Sequence, residues 1–288
     1  MGRPGSGQLE VGPGGSGPPR KPGEPLAPTG PHRHTRMPMS TSPEQPGQPA
    51  PSRPPVALVT GGSQGIGAAI VRALHAAGAE VVIAARRLEP CQALADELGE
   101  RARAHALDVT DVAAVAALPT ALGPVDWLVN NAGAATSAPL AKSDEALYQR
   151  LMELNFHAAR RLAGAFLPGM LERDRGRVVA VASSAGLVGY PYVAAYCASK
   201  HALIGYTRAA AAETARTGVG FSAVCPHYVD TPLLEASVEN VVAKTGKTRD
   251  EARAFFAAQN PGGRLVAPDE VAAAVVELCF GEGRGIVE

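Results

Sequence analysis

The sequence predicts an α/β domain organised as a doubly wound parallel sheet with helices on both faces. Three observations predict it. From Pro55 onward, short apolar runs alternate with Ala- and Leu-rich stretches of helical character. The runs are apolar almost throughout rather than at every second residue, as expected of strands buried on both faces. A glycine-rich turn joins the first run to the first helical stretch. Right-handed crossovers then bring the carboxyl ends of the strands to one edge of the sheet, where ligands bind.

Taken in order, the strands are expected at Val56–Thr60, Glu80–Ala85, Arg103–Leu107, Val125–Asn130, Arg177–Ser183 and Gly220–Val224. The helices between them are expected at Ile66–Ala77, Glu89–Leu98, Val112–Leu122, Asp144–Glu172 and Ala194–Thr217. Pro232–Pro261 reads as one or two further helices, and no repeat of solenoid period is present. Residues 55–288 suit one sizeable domain. Residues 1–54 differ in kind, being dominated by Gly, Pro and Ser with no aromatic residue. Such a segment buries too little apolar surface to offset the entropy of ordering it, so disorder is expected. It lacks the apolar run of a secretory signal. Its Arg residues leave a mitochondrial transit peptide open, against which the Pro and Gly content argues. Met37 and Met39 are alternative starts, in which case the leader is a mis-assigned beginning.

Charge excludes some classes of partner. The chain is formally neutral, with six Lys/Arg against three Asp/Glu in residues 1–54 and a small acidic excess in the rest. No basic patch points to nucleic acid, and no apolar run approaches the ~20 residues of a membrane span. Cys91, Cys197, Cys225 and Cys279 are widely spaced, which reads as reduced thiols in a cytoplasmic protein. The seven His residues show no metal-ligand spacing with a partnering carboxylate, so no metal is expected.

The turn after the first strand carries Gly61, Gly65 and Gly67. Glycine permits the tight turn, lets backbone approach a pyrophosphate, and lets the helix pack close to the strand. The following helix N-terminus offers N–H groups and partial positive charge to phosphates. A dinucleotide site is therefore expected here. Thr60-Gly61-Gly62-Ser63-Gln64-Gly65-Ile66-Gly67, Asn130-Asn131-Ala132-Gly133 and Leu107-Asp108-Val109, each at the end of a strand, resemble the TGxxxGIG, NNAG and adenine-binding motifs of the short-chain dehydrogenase/reductase family. The resemblance implies a Rossmann fold and an oxidoreductase moving a hydride between a nicotinamide dinucleotide and a carbonyl/alcohol pair. It implies cofactor contacts at Gly61, Ser63, Gly65, Ile66, Gly67, Asp108, Val109, Asn131, Ala132 and Gly133.

The second strand bears on which dinucleotide. A ribose 2′-hydroxyl calls for a carboxylate near its end, a 2′-phosphate for an Arg. Ala85 occupies the acidic position and Arg86 follows, so NADP(H) is expected, with NAD(H) as the alternative. The other reading of Arg86 and Arg87 is a solvated pair, and Gln64 stands where NADP-dependent relatives often carry a basic residue.

Tyr196 and Lys200 lie four apart on an expected helix and so share a face. A nearby ammonium lowers a phenol pKa and makes it a usable acid or base. In the family a Ser thirteen residues before the Tyr binds the substrate oxygen, and Ser183 matches. Asn155, on the preceding helix, matches the fourth member of the set. The resemblance then implies Tyr196 as acid/base, Ser183 as the group that polarises the carbonyl, and Lys200 as depressor of the Tyr pKa and ligand of the nicotinamide ribose. It implies Asn155 as anchor of a proton-relay water, and Thr231 as contact to the nicotinamide.

Two departures stand out. His227 occupies the Gly of the family's PGxVxT, and the chain reaches Glu288 just where a seventh strand would start, so that strand is expected to be short or missing. The segment 232–261 takes the place of the family's substrate lid. The narrower likeness is to enzymes of 3-oxoacyl and 3-hydroxyacyl thioesters; polyketide ketone, steroid and sugar substrates stay open. A homo-oligomer, dimer or tetramer, is expected. The competing functions are a catalytically silent nucleotide-binding or scaffolding protein and an epimerase or dehydratase on the same fold.

Overall fold

The computed structural model describes residues 53–281 and 285–287. The expectation of a disordered leader falls on residues outside these, except for Arg53 and Pro54. Arg53 ion-pairs at 3.0 Å with Asp126, a carboxylate only 2% exposed that also accepts the Val56 N–H at 2.9 Å.

Among the described residues, seven strands form one parallel sheet: β1 (Val56–Thr60), β2 (Glu80–Ala85), β3 (Ala102–Ala106), β4 (Trp127–Asn130), β5 (Gly176–Val181), β6 (Val219–Val224) and β7 (Gly285–Val287). Their spatial order is β3-β2-β1-β4-β5-β6-β7. The chain winds outward from β1 to β3, then returns to place β4 on the other side of β1. Loops leaving β1 and β4 therefore diverge and open a crevice at this switch point. β1, β4 and β6 are buried along their whole length, as their unbroken apolar runs require, whereas edge strand β3 is partly exposed. The seventh strand is present but only three residues long, paired to β6 from Ser222↔Gly285 to Val224↔Val287.

The helices are α1 (Gly65–Ala76), α2 (Leu88–Leu98), α3 (Val112–Leu122), α4 (Glu145–Met152), α5 (Ala158–Glu172), α6 (Ala194–Glu213), α7 (Pro232–Thr245), α8 (Arg249–Ala257) and α9 (Pro268–Phe280). One core packs Ile70, Val71 and Leu74 of α1 and Val271, Val275 and Leu278 of α9 onto one face of the sheet. The opposite core packs Leu118 of α3 with Leu162, Phe166 and Met170 of α5. At roughly 25 cal/mol per Å² of apolar surface, these buried side chains supply the main drive to fold.

Most bounds differ from the sequence reading by no more than two residues, β5 ending at Val181 rather than Ser183, and three elements depart further. The single long helix expected over Asp144–Glu172 is broken by a π turn at Glu153–His157 between α4 and α5. The expected Ala194–Thr217 helix ends at Glu213, where the Thr214 hydroxyl bonds back to the Ala210 carbonyl at 2.8 Å. The helix α9 is absent from that reading although Pro268, Asp269 and Glu270 make a proper helix start. Residues 232–261 do form two helices: Thr231 caps α7, and Thr248 with Glu251 forms a capping box on α8.

Candidate active site

The site grows from Thr60, the last residue of β1. Its hydroxyl, 1% exposed, donates to the Val129 carbonyl and accepts the N–H groups of Asn131 and Ala132 at 3.1 and 3.2 Å. The Asn131 amide then donates to the carbonyls of Thr60 and Gly61 at 2.9 and 3.1 Å. One hydroxyl and one amide thus lock the loop after β4 to the loop after β1. Thr60 was legible only as a letter of a motif; its clamp is visible only in three dimensions.

Gly61 and Gly65 take φ of +63° and +52°, the left-handed region that glycine enters without steric cost. Gly67 is needed for space: a Cβ there would lie 2.1 Å from the Gly61 carbonyl oxygen. Gln64, the N-cap of α1, makes no side-chain capping bond, so the first N–H groups of the helix are left for a ligand. Gly65, Ile66 and Gly67 open onto a cavity of about 850 Å³ that also meets Asn131, Ala132 and Gly133. A tight turn, a glycine-cleared approach and uncapped helical N–H groups fit a dinucleotide pyrophosphate. Ser63, Arg86, Asp108 and Val109 do not line that cavity. Arg86 and Asp108 are exposed beyond the ends of β2 and β3, close enough for Arg86 to help hold the Asp108 carboxyl below its usual range. The larger causes of that lowering are the hydrogen bonds from Thr110. Val109 is buried in the core, and Ser63 hydrogen-bonds the Cys91 thiol, which burial pushes up.

On the far side of the cavity stand Ser183, just after β5, and Tyr196 and Lys200, one turn apart on α6. Ser183 is hydrogen-bonded to the Tyr196 phenol, while its Oγ also accepts the Ala185 N–H at 3.1 Å. Lys200 is 5% exposed; its Nζ donates to the Val181 carbonyl at 2.9 Å and lies 5.8 Å from the Tyr196 ring centre. Burial lowers the Lys200 pKa to about 8. Burial also pushes Tyr196 up to about 12, and the opposing hydrogen bond comes from Ser183. Desolvation is the largest cause of that shift and favours the protonated phenol.

Asn155 is 1% exposed and sits on the π turn, a wide turn that recurs at functional sites. Its Oδ1 accepts the Ala134 N–H at 2.9 Å, and its Nδ2 donates to the Ala134 carbonyl and the Ser199 hydroxyl at 2.9 and 3.0 Å. The side chain is thus spent holding the loop after Gly133 against α6. A Cβ on Gly133 would approach Asn155 Oδ1 to 2.9 Å and Lys200 Nζ to 3.7 Å, so these groups pack tightly together.

Thr231 lines the cavity opposite Gly65, its hydroxyl donating to the Val229 carbonyl and accepting the Leu234 N–H at 3.4 Å. His227, in the unusual position, also lines the cavity, and its Nδ1 is buried without a hydrogen bond among the described residues. Sequence reasoning missed Asn260, which is 5% exposed. Its amide accepts the Tyr228 N–H at 2.9 Å and donates to the carbonyls of Tyr228 and Arg264, both at 2.8 Å. Ser184, which also lines the cavity, accepts the Tyr190 hydroxyl at 3.1 Å. No helix among the described residues is long and apolar enough to cross a membrane.

Fold and site together define a nicotinamide-dependent oxidoreductase of the doubly wound class. The family model for short chain dehydrogenase matches residues 55–241, and the chain belongs to that family. It is 37% identical over 231 residues to 3-oxoacyl-acyl-carrier-protein reductase FabG of Vibrio cholerae, covering 79% of this chain and 90% of that one. It is 36% identical over 233 residues to D-beta-hydroxybutyrate dehydrogenase of Cupriavidus necator, covering 77% and 89% respectively. Among solved structures, a single-residue variant of actinorhodin polyketide ketoreductase with NADPH superposes with a TM-score of 0.75 at 38% identity. That match covers 81% of this chain and 95% of the other.

Proposed function

We propose that the protein reduces 3-oxoacyl thioesters to 3-hydroxyacyl thioesters with NADPH. The observation that carries the reading is the proton-bearing Tyr196, hydrogen-bonded to Ser183 and beside a Lys200 that titrates near 8, all facing one cavity. The nicotinamide cofactor, when bound, supplies the hydride that reduces the carbonyl carbon. Ser183 and Tyr196 hold the carbonyl oxygen, and Tyr196 gives its proton to that oxygen as negative charge develops there. Lys200, with a pKa close to working pH, can return a proton to the phenolate. Asn155 keeps Lys200 and the Gly133 loop in register through Ser199 and Ala134.

Arg86, exposed after β2 where Ala85 supplies no carboxylate, supports NADP(H) over NAD(H). The names of the relatives and the apolar and aromatic lining near 232–261 support an acyl substrate beneath these helices as a lid. The test is fluorescence titration with NADPH and NADH, followed by turnover assays on 3-oxoacyl thioesters and simple ketones. Tyr196→Phe is expected to lower turnover by about 10²- to 10⁴-fold while leaving NADPH affinity within about twofold. Turnover retained in that variant refutes the mechanism, and NADPH binding without turnover on any thioester refutes the substrate class.

A further inference from the structure

The pocket wall contains a second phenol that the reaction as described does not use. Tyr228 stands in the loop after β6, and its backbone is gripped from both sides. Asn260 takes its N–H and its carbonyl, and the Val266 N–H donates to the same carbonyl at 3.0 Å. Its ring is wedged between Phe256, 4.9 Å away, and Tyr190, 6.3 Å away. Little freedom is left to the side chain, so its hydroxyl is delivered to one place.

That place is next to the reacting centre. Tyr190, Tyr196 and Tyr228 all line the cavity. Tyr228 is near enough to Tyr196 for its charge to raise that phenol, and Tyr190 is near enough to do the same to Tyr228. The three protons have different fates. That of Tyr190 is committed to Ser184, and Tyr196 is bonded to Ser183. The Tyr228 hydroxyl has no hydrogen-bond partner among the described residues. A fixed, half-buried donor without a partner is a group waiting for an acceptor, because leaving it unmade on desolvation by substrate costs free energy.

We infer that Tyr228 is a specificity-determining residue that donates to a second oxygen of the substrate, and that Asn260 is the residue that positions it. The inference rests on the reductase reading above. With the ketone oxygen held by Ser183 and Tyr196, the second acceptor is the carbonyl oxygen two carbons away, as in a 3-oxoacyl thioester or ester. Plain ketones lack it. A site built to pair with a substrate oxygen discriminates against the analogue without it, since its own donor is then left unpaired.

The experiment compares kcat/KM for a 3-oxoester and for a ketone of matched length, with NADPH, in the wild type and in Tyr228→Phe. Removing one neutral hydrogen bond should cut the preference for the 3-oxoester roughly three- to tenfold and leave the ketone unchanged. Asn260→Ala should raise KM for the 3-oxoester with kcat within about twofold, the split expected when a binding contact is displaced rather than the chemistry impaired. Calorimetry of the corresponding 3-hydroxyester binding to the NADP⁺-loaded protein reads the same contact without turnover. Equal losses on both substrates, no loss on either, or unchanged 3-hydroxyester affinity in Tyr228→Phe overturn the role of the phenol. A wild type without preference for the 3-oxoester overturns both this inference and the substrate reading. A preference that survives Tyr228→Phe overturns the inference alone.

Discussion

Replacing Gly67 by Ala tests whether the close approach of α1 to the loop after β1 makes the cofactor site. The added Cβ would sit 2.1 Å from the Gly61 oxygen and 2.6 Å from Asn131 Nδ2. Reaching even a tight contact of 3.0 Å requires either the helix start or the Gly61 peptide to move by about 1 Å. Neither can move freely, because Gly61 is tied to Asn131 and Asn131 to Thr60. Forcing a methyl into such packing costs about 1–3 kcal/mol. The same displacement carries the helical N–H groups away from the phosphates. A loss of about 1.4–2.8 kcal/mol in binding corresponds to roughly a ten- to hundredfold weaker NADPH affinity. The assay is NADPH titration by fluorescence beside urea denaturation of the same samples. Gly205→Ala is the control: that glycine is exposed within α6, a Cβ there meets nothing within 4 Å, and helix propensity predicts a gain of up to about 1 kcal/mol. Wild-type NADPH affinity and stability in Gly67→Ala would refute the steric argument.

Three other perturbations follow from the geometry. Lys200 is lowered from 10.5 to about 8, so reduction should decline as pH rises through about 8 and the ammonium is lost; a flat pH–rate profile there contradicts its assigned role. Because the unfolded chain binds more protons than the folded one between about 8 and 10.5, the stability cost of burying Lys200 should fall as pH rises across that window. Thermal melts of wild type against Lys200→Met would show this, the difference shrinking with rising pH. Arg86→Asp should weaken NADPH at least about tenfold more than NADH, one charged pairing being worth roughly that much, and equal losses by titration would return Arg86 to the role of a solvated side chain. Asp126→Ala should cost about 2–4 kcal/mol in denaturant melts, since it strands the Val56 N–H and removes the partner of Arg53 at the far edge of the sheet.

Much of this molecule could be read from its residues alone, for a physical reason. β1, β2 and α3 have the bounds expected, because unbroken apolar runs flanked by Gly or charged residues leave little choice of where a buried element begins or ends. Ser183, Tyr196 and Lys200 could be placed on one edge because strand direction and helical spacing place them there. The π turn was not legible, since one extra residue in a turn alters hydrogen bonding without altering side-chain type. Asn260 was not either: an Asn before Pro261 reads as loop chemistry, and its value comes from burial against Tyr228, a residue 32 positions away. The α9 helix was different, for Val271, Ala272, Val275 and Leu278 carry a helical period that the reading did not use.

The π turn between α4 and α5 also sets the rotational phase of everything that follows it. A residue subtracted from a helix turns the next segment by about 100° about its axis. Deleting one residue from Glu153–His157 to restore an ordinary turn would swing Leu162, Phe166 and Met170 off the sheet while withdrawing Asn155 from Ser199. The wide turn is therefore a shim between two surfaces that would otherwise disagree. It lets α4 face α6 and α5 face the sheet, and any lineage that lost it would have to re-cut a face of its core in the same step.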